Sequence, residues 1–176
     1  MKKRVFVAIG VSAQLKEKVA DFQKKLSYLP VRCIKPDNLH VTLIPPWYTT
    51  NVEEEIKRLK SIKNIIDPFA ITFREVTFGP NPKKPRLIWA SGNTAPEVVT
   101  LKSKLEEILN KKREKREFST HLTIGRFKEK DFSKFPIRNL DEKILWEEKV
   151  GSFLLMESRL RISGASYEKI LEVSFR

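Results

Sequence analysis

The chain has 176 residues, of which 40% are apolar and 32% are charged, and these proportions are ordinary for a soluble globular protein. No apolar run approaches the length of about 20 residues that a membrane-spanning helix needs, and the short apolar run near the start lacks the features of a signal peptide. Lysine and arginine total 35 against 22 acidic residues, and the resulting net charge of +13 favours a polyanionic partner such as nucleic acid.

The first half of the chain predicts two helices between strands. A continuous apolar run predicts a buried strand over Val5–Ile9, and apolar residues at helical spacing then predict a helix capped by Ser12. A short extended piece over Val31–Ile34 leads into a strand that carries His40. Asn51 is placed to cap a second helix, whose apolar residues recur at the same spacing.

The second half predicts a third helix among further strands. Strands are expected before this helix at Phe69–Phe73, Val76–Phe78 and Arg86–Ala90. Thr94 and Glu97 have the spacing of a capping box and Pro96 suits a first helical turn, so we expect Thr94 to cap the helix.

The end of the chain carries weaker patterns. The charged run Lys111–Arg116 is either a contact for RNA or a solvated helix end, and it leads into a strand that holds His121. Two late strands are expected near Val150–Met156 and Tyr167–Phe175. The segment 128–148 has no clear periodicity and is predicted as loops and short pieces.

Two similar segments divide the chain into related halves. "RVFVAIG" at 4–10 and "RLIWASG" at 86–92 each precede a predicted helix, and each helix is followed by a His-x-Thr strand. The segments are 82 positions apart, and His40 and His121 are 81 positions apart. This repeat predicts two lobes that pack with an approximate two-fold relation and bring the motif strands to a central cleft.

The two His-x-Thr strands carry the chemistry. Side chains alternate along a strand, so His40 and Thr42 share one face, as do His121 and Thr123. A hydroxyl can donate to an anionic oxygen, and an imidazole can give or take a proton near neutral pH. Two such pairs facing each other would hold a phosphate between an acid and a base.

Other uses of these residues are weaker. A single histidine on a strand is more often structural, but the only two histidines of the chain occupy matched positions. Zinc would need further ligands, and none stands at ligand spacing, so no metal and no cofactor are expected. Cys33 is the only cysteine, which favours a buried structural thiol and a cytoplasmic location.

Two motifs carry a resemblance to a known family. "LHVTL" and "THLTIGR" resemble the paired motifs of the 2H phosphoesterase superfamily, and within it the chain is most similar to the 2′,5′ RNA ligase-like RNA 2′,3′-cyclic phosphodiesterases. Nearly the whole chain shares the likeness, including "RVFVAIGVS", "RLIWASG" and "ESRLRISGASYEKILEVSF". The resemblance implies one bilobal domain over 1–176 with an α+β fold, in which antiparallel sheets flanked by helices surround a central active-site cleft.

The resemblance also implies residue roles. His40 matches the proton donor to the leaving 3′ oxygen, and His121 matches the proton acceptor that activates water. Thr42 and Thr123 match the phosphate-holding threonines, and Arg126 falls where a basic residue could bind phosphate. The implied reaction is metal-independent and opens a terminal 2′,3′-cyclic phosphate on RNA to leave a 2′-phosphate.

Aromatic residues follow both motifs. The chain reads "IPPW" at 44–47, where family members commonly have a lysine, an aromatic residue and a glycine, so the resemblance does not extend to the shape of the nucleotide pocket. Trp47, Tyr48 and Phe127 are candidates for stacking on a base, with packing at the rim as the alternative. The other tryptophans are expected in the core: Trp89 and Trp146.

Two further functions stay open at this point. An RNA-end binding module without turnover would explain the charge and the threonines but gives no reason for matched histidines. A 2′-5′ RNA ligase would use the same two imidazoles, because catalysts of a reversible step serve both directions. In every case we expect RNA as the partner, no membrane contact, no obligate protein partner and a monomer.

Overall fold

Two antiparallel sheets and three helices make up the framework in a computed structural model that describes residues 1–113, 116–162 and 164–176. The charged run at 111–116 therefore lies partly outside the described residues. The strands are β1 Lys3–Ile9, β2 Arg32–Cys33, β3 Val41–Thr49, β4 Phe69–Gly79, β5 Leu87–Ser91, β6 His121–Arg126, β7 Asp141–Val150, β8 Ser152–Arg161 and β9 Gly164–Ser174. The α-helices are α1 Ala13–Lys25, α2 Val52–Lys60 and α3 Pro96–Ile108, and short 3₁₀ turns cover Pro36–Asn38 and Glu129–Lys134.

The two sheets place the motif strands in different layers. One sheet has the order β3-β1-β8-β9, and the other has the order β2-β6-β5-β4-β7. The predicted first strand is confirmed: β1 lies between β3 and β8, and its residues from Val5 to Ile9 are all buried. A continuous apolar run suits this central position, because both faces of such a strand are covered.

The helices connect the two layers crosswise. The helix that follows β1 packs against β6 and β7 of the other sheet, and α3, which follows β5, packs against β3. Each half of the repeat therefore covers the sheet of the other half, and β3 and β6 approach each other between the sheets. This confirms the α+β arrangement of antiparallel sheets flanked by helices. Within the described ranges, no helix is long and apolar enough to span a membrane.

Two of the three predicted helix caps are confirmed. The Ser12 hydroxyl accepts from the backbone N–H of Leu15 at 3.3 Å, and the Asn51 side chain accepts from that of Glu54 at 3.1 Å. The capping box at Thr94 is wrong, because the residue that caps α3 is Ala95 and it makes no side-chain bond. A proline in the first turn presets the helical φ angle, so the helix begins without a polar cap.

The segment predicted as loops and short pieces contains a complete strand, β7. Trp146, Glu148 and Val150 are buried on one face, while Leu145 is 62% exposed on the other. An inward carboxylate broke the apolar alternation that predicts a strand. The carboxylate of Glu148 is satisfied because it accepts from the backbone N–H and the hydroxyl of Ser12, at 3.1 and 2.8 Å.

The two short strands predicted over 69–78 form one strand. β4 runs through Arg74, where a register shift between Phe73 and Glu75 interrupts its pairing with β7. This bulge leaves the Arg74 side chain exposed and explains the break in the apolar pattern. The two late strands are confirmed and are longer than expected.

Candidate active site

His40 lies immediately before β3, after the 3₁₀ turn. Its Nδ1 is 2.7 Å from the carbonyl oxygen of Asn38, whose side chain donates to the carbonyl oxygen of Ala165 at 3.0 Å and so ties the turn to β9. A carbonyl oxygen only accepts, so Nδ1 carries the hydrogen and the neutral ring has its lone pair on Nε2. The ring packs against Phe6 and Tyr167, with centroid distances of 5.0 and 5.1 Å.

His121 begins β6 and has the same local arrangement. Its Nδ1 is 2.9 Å from the carbonyl oxygen of Ser119, again two residues earlier, so Nε2 again has the lone pair. The Thr94 hydroxyl fixes the backbone on both sides of this carbonyl. It donates to the carbonyl oxygen of Phe118 at 3.3 Å and accepts from the backbone N–H of Thr120 at 3.0 Å.

Trp89 is part of the surroundings of His121. It was expected in the core, but it is only partly buried and its ring centroid lies 4.6 Å from that of His121. Trp89 pairs with Thr123 across β5 and β6, and its Nε1 donates to the Thr77 hydroxyl at 3.1 Å. The signal available in the sequence was its position on the strand that precedes the second motif. The core prediction for Trp146 is confirmed at 7% exposure.

The alternation predicted for the motif strands is confirmed. Leu39, Val41 and Leu43 are buried on one side of the first motif, whereas His40 and Thr42 are partly exposed. The second motif repeats this pattern, with the apolar residues buried and the histidine and threonine partly exposed: Leu122, Ile124, His121 and Thr123. Each strand therefore buries its apolar side chains on one face and presents an imidazole and a hydroxyl on the other face.

The pKa of each imidazole is lowered from its ordinary value. Burial is the main cause that lowers the pKa of His40 and of His121, and the hydrogen bond to a carbonyl oxygen opposes it at each ring. The positive charge of Arg126 lowers the pKa of both imidazoles further, so this guanidinium lies within electrostatic reach of both. The charge of His121 also lowers the pKa of His40, which couples the two rings.

A cavity of about 320 Å³ opens beside His40. Thr123 and Arg126 line it from the second motif strand, and Tyr167 lines it from β9. His121 and Thr42 lie outside its lining, so the cavity extends from the first histidine rather than enclosing both.

The cavity is strongly basic. Three further cationic side chains line it: Arg32, Lys35 and Arg161. Neither these three nor Arg126 forms an ion pair with a described residue. The acidic residue among its described lining is Asp37, whose carboxylate is 3.3 Å from the Lys16 ammonium. Sequence reasoning missed Arg32, Arg161 and Tyr167, because long-range strand pairing brings them to the motifs.

The three predicted stacking residues do not line this cavity. Trp47 and Tyr48 lie near the end of β3, five residues or more beyond Thr42, which in an extended strand is about 16 Å. There, Trp47 donates to Glu55 at 3.2 Å and lies under the ammonium of Lys111. The positions of Trp47 and Tyr48 favour packing and solvent contact over base stacking.

The Phe127 side chain also lies outside the lining of the cavity. Its ring packs in an aromatic cluster with Phe78, Phe132 and Phe135, with a shortest centroid distance of 4.6 Å to Phe135. Cys33 was expected to be buried, but it is exposed on the edge strand β2 beside the cavity. A strand of two residues at the sheet edge leaves its side chains uncovered.

No group of three or more His, Cys, Asp or Glu side chains that could hold a metal ion occurs in the described part of the chain. The cavity gathers the His40 imidazole, the Thr123 hydroxyl and several cations, and His121 lies within electrostatic reach of His40. Their chemistry suits proton transfer and the binding of an anion.

Comparison with known sequences identifies a family and similar proteins. A family model described as the 2′-5′ RNA ligase superfamily matches residues 11–159. The RNA 2′,3′-cyclic phosphodiesterase of Archaeoglobus fulgidus is 33% identical over 95% of this chain and 97% of that protein. The protein of the same name from Methanocaldococcus jannaschii is 32% identical over 96% of this chain and 99% of its own length.

Solved structures show the same fold at lower identity. A Thermus thermophilus protein superposes with a TM-score of 0.79 at 21% identity, over 97% of each chain. Apo LigT of Escherichia coli superposes with a TM-score of 0.78 at 19% identity, over 99% of this chain and 98% of that one. With a family match over most of its length and relatives that align almost end to end, the chain belongs to the 2′-5′ RNA ligase superfamily.

Proposed function

We propose that this protein hydrolyses 2′,3′-cyclic phosphate ends of RNA to 2′-phosphate ends, without a metal ion, with His40 as general acid and His121 as general base. The names of the relatives from Archaeoglobus fulgidus and Methanocaldococcus jannaschii support this substrate. The observation that carries the proposal is the matched contact of the two rings: each Nδ1 lies within 2.9 Å of the carbonyl oxygen two residues earlier, which leaves Nε2 as the nitrogen for proton transfer.

Each residue has its own part in the reaction. His121 Nε2 takes a proton from water, the water oxygen attacks phosphorus, and the bond from phosphorus to the 3′ oxygen breaks. Protonated His40 gives its proton to that oxygen, which leaves as a 3′ hydroxyl while the phosphate stays on the 2′ oxygen. Thr42 and Thr123 donate to the phosphate oxygens, and Arg126 offsets their charge.

The direct test is turnover of a 2′,3′-cyclic nucleotide with and without EDTA. His40→Asn and His121→Asn should each lower kcat by about 10²- to 10⁴-fold, which is the usual contribution of a positioned acid or base. Equal urea midpoints for the variants and the wild type would show that the fold is kept. Loss of activity in EDTA would contradict the metal-free reaction, and binding of cyclic ends without turnover by the wild type would favour an RNA-end binding module.

The assignment of acid and base has its own test. A substrate with sulfur in place of the 3′ oxygen has a leaving group that needs no proton. His40→Asn should regain most of its rate on this substrate, whereas His121→Asn should not. Rescue of His121→Asn instead would exchange the two roles.

Ligation is a second candidate, supported by the near-identical settings of the two rings. A 5′ hydroxyl of another RNA could replace water as nucleophile at the same phosphorus, and loss of the 3′ oxygen would then leave a 2′-5′ linkage. An assay with two RNA halves, one ending in a cyclic phosphate and one beginning with a 5′ hydroxyl, measures this reaction directly. Absence of a 2′-5′ junction in the presence of hydrolysis would exclude it.

A further inference from the structure

We propose, resting on the hydrolysis of cyclic phosphate ends above, that Arg32 and Arg161 form a subsite for the phosphate on the 5′ side of the terminal nucleotide. The protein would then act on RNA chain ends in preference to free cyclic nucleosides. A cyclic phosphate carries one negative charge, and Arg126 lies within electrostatic reach of both histidines that would act on it. The remaining cations of the cavity exceed what this single charge needs.

The strand register places two arginines side by side without compensation. Arg32 on β2 is the direct partner of Arg126 on β6, so the two side chains project from the same face of the sheet. Like charges directly opposite each other on neighbouring strands are destabilising. Among the described residues neither guanidinium has an acidic partner, so a bound anion is the natural counter-charge.

The hairpin between β8 and β9 closes the subsite from the other side. Arg161, which lines the cavity, pairs with Gly164 at the end of this hairpin. Gly164 has a φ of 114°, and a Cβ added there would lie 2.7 Å from a terminal nitrogen of Arg32. The Arg32 guanidinium therefore rests against the backbone of Gly164, the residue that pairs with Arg161 in the strand register.

The strand register separates the cations into two neighbouring positions in one cavity. Neighbouring strands are roughly 4.8 Å apart, so Arg32 stands one strand away from the position at which Arg126 would bind the cyclic phosphate. Lys35, which also lines the cavity, adds a fourth positive charge. A phosphate attached to the 5′ oxygen of the same nucleoside is the nearest second anion that an RNA end supplies.

The test compares three substrates: a 2′,3′-cyclic nucleoside, the same compound with a 5′-phosphate, and a dinucleotide with a cyclic end. We expect kcat/KM to rise about tenfold or more with the added phosphate in both larger substrates, as a charge-assisted contact usually gives. Arg32→Ala and Arg161→Ala should each reduce this ratio about tenfold. Arg74→Ala removes an exposed arginine that lies outside the cavity lining and should leave the ratio unchanged.

Salt dependence gives a second measure. Removal of one arginine that binds the 5′ phosphate should reduce the slope of log(kcat/KM) against log[salt] by about 0.7, but only for substrates that carry this phosphate. The subsite is refuted if the gain appears only with the extra nucleoside, or if both arginine variants keep the wild-type ratio. Failure of all three substrates to react would instead contradict the hydrolysis on which the proposal rests.

Discussion

The indole of Trp89 packs against the imidazole of His121, with ring centroids 4.6 Å apart and planes inclined by 46°. The orientation of the indole is fixed, because its single N–H donates to Thr77 at 3.1 Å. An aromatic ring next to an imidazole favours its protonated form. If His121 is the base, this contact stabilises the charge that the ring acquires as it takes a proton from water.

Replacement of Trp89 should therefore affect the chemical step. Trp89→Leu is expected to lower kcat about tenfold, which corresponds to about 1.4 kcal/mol and lies within the range for a cation next to an aromatic ring. Trp89→Phe keeps an aromatic face and should retain most of the rate. Steady-state kinetics on a cyclic nucleotide measure both variants, and equal losses in the two would show that the aromatic face has no role.

Thr94 should act through the backbone that sets the His121 tautomer. Thr94→Val keeps the shape of the side chain but removes the bonds to Phe118 and Thr120, at a cost of about 1–3 kcal/mol of folding free energy. The Ser119 carbonyl is then less firmly held, and we expect kcat to fall while KM changes little. Thr94→Ser restores both bonds and should restore kcat. A Thr94→Ser variant as slow as Thr94→Val would contradict this role.

Local signals in the sequence predicted the local parts of the fold. The caps at Ser12 and Asn51 act within three residues of themselves, so their spacing alone could identify them. The alternating faces of the two motif strands follow from strand geometry in the same way. His40 and His121 were found because the motif occurs twice, although neither would have been distinctive alone.

The features that the sequence did not predict correctly share a physical cause. The Thr94 hydroxyl bonds a backbone group 24 residues away, so the capping box that its spacing suggests does not form. Glu148 is tolerated inside because Ser12, 136 residues earlier, donates to it. Arg161 reaches the cavity through the β8–β9 hairpin, where strand pairing rather than any motif positions it. Such partnerships are set by the assembled sheets, and no sequence window contains them.

The pH optimum of kcat/KM should lie below neutral pH. Burial and the Arg126 charge lower the pKa of both imidazoles below 6.5. The base must be neutral, so the rate falls as pH drops through the lower pKa of the pair, and the acid must be protonated, so the rate falls as pH rises through the higher one. The maximum of kcat/KM, which reports the free enzyme, is therefore expected below about pH 6.5.

Two comparisons sharpen this expectation. The bound cyclic phosphate adds a negative charge that raises both pKa values, so the kcat profile should be displaced to higher pH than the kcat/KM profile. Arg126→Met removes a positive charge and should move the kcat/KM maximum upward. A flat profile between about pH 5 and 8 would contradict the two-histidine mechanism.

Gly79 should be required for the position of Trp89. A Cβ added at Gly79 would lie 2.8 Å from Trp89 Nε1 and closer still to two ring carbons, so Gly79→Ala forces the indole to move. Overpacking of this kind costs about 1–3 kcal/mol, and displacement of the ring from His121 should also lower kcat. Gly151→Ala is the matched control, because no atom of the described residues lies within 4 Å of its added Cβ. Urea unfolding and kinetics measure the two effects together.

A double variant separates overpacking from other causes. Trp89→Phe removes the part of the indole that an alanine at Gly79 would strike, so Gly79→Ala should cost less folding free energy in that background than in the wild type. The difference between the two costs is the coupling energy of the pair. Additive effects of the two substitutions would show that Gly79 acts through its own backbone and not by making room for the ring that contacts His121.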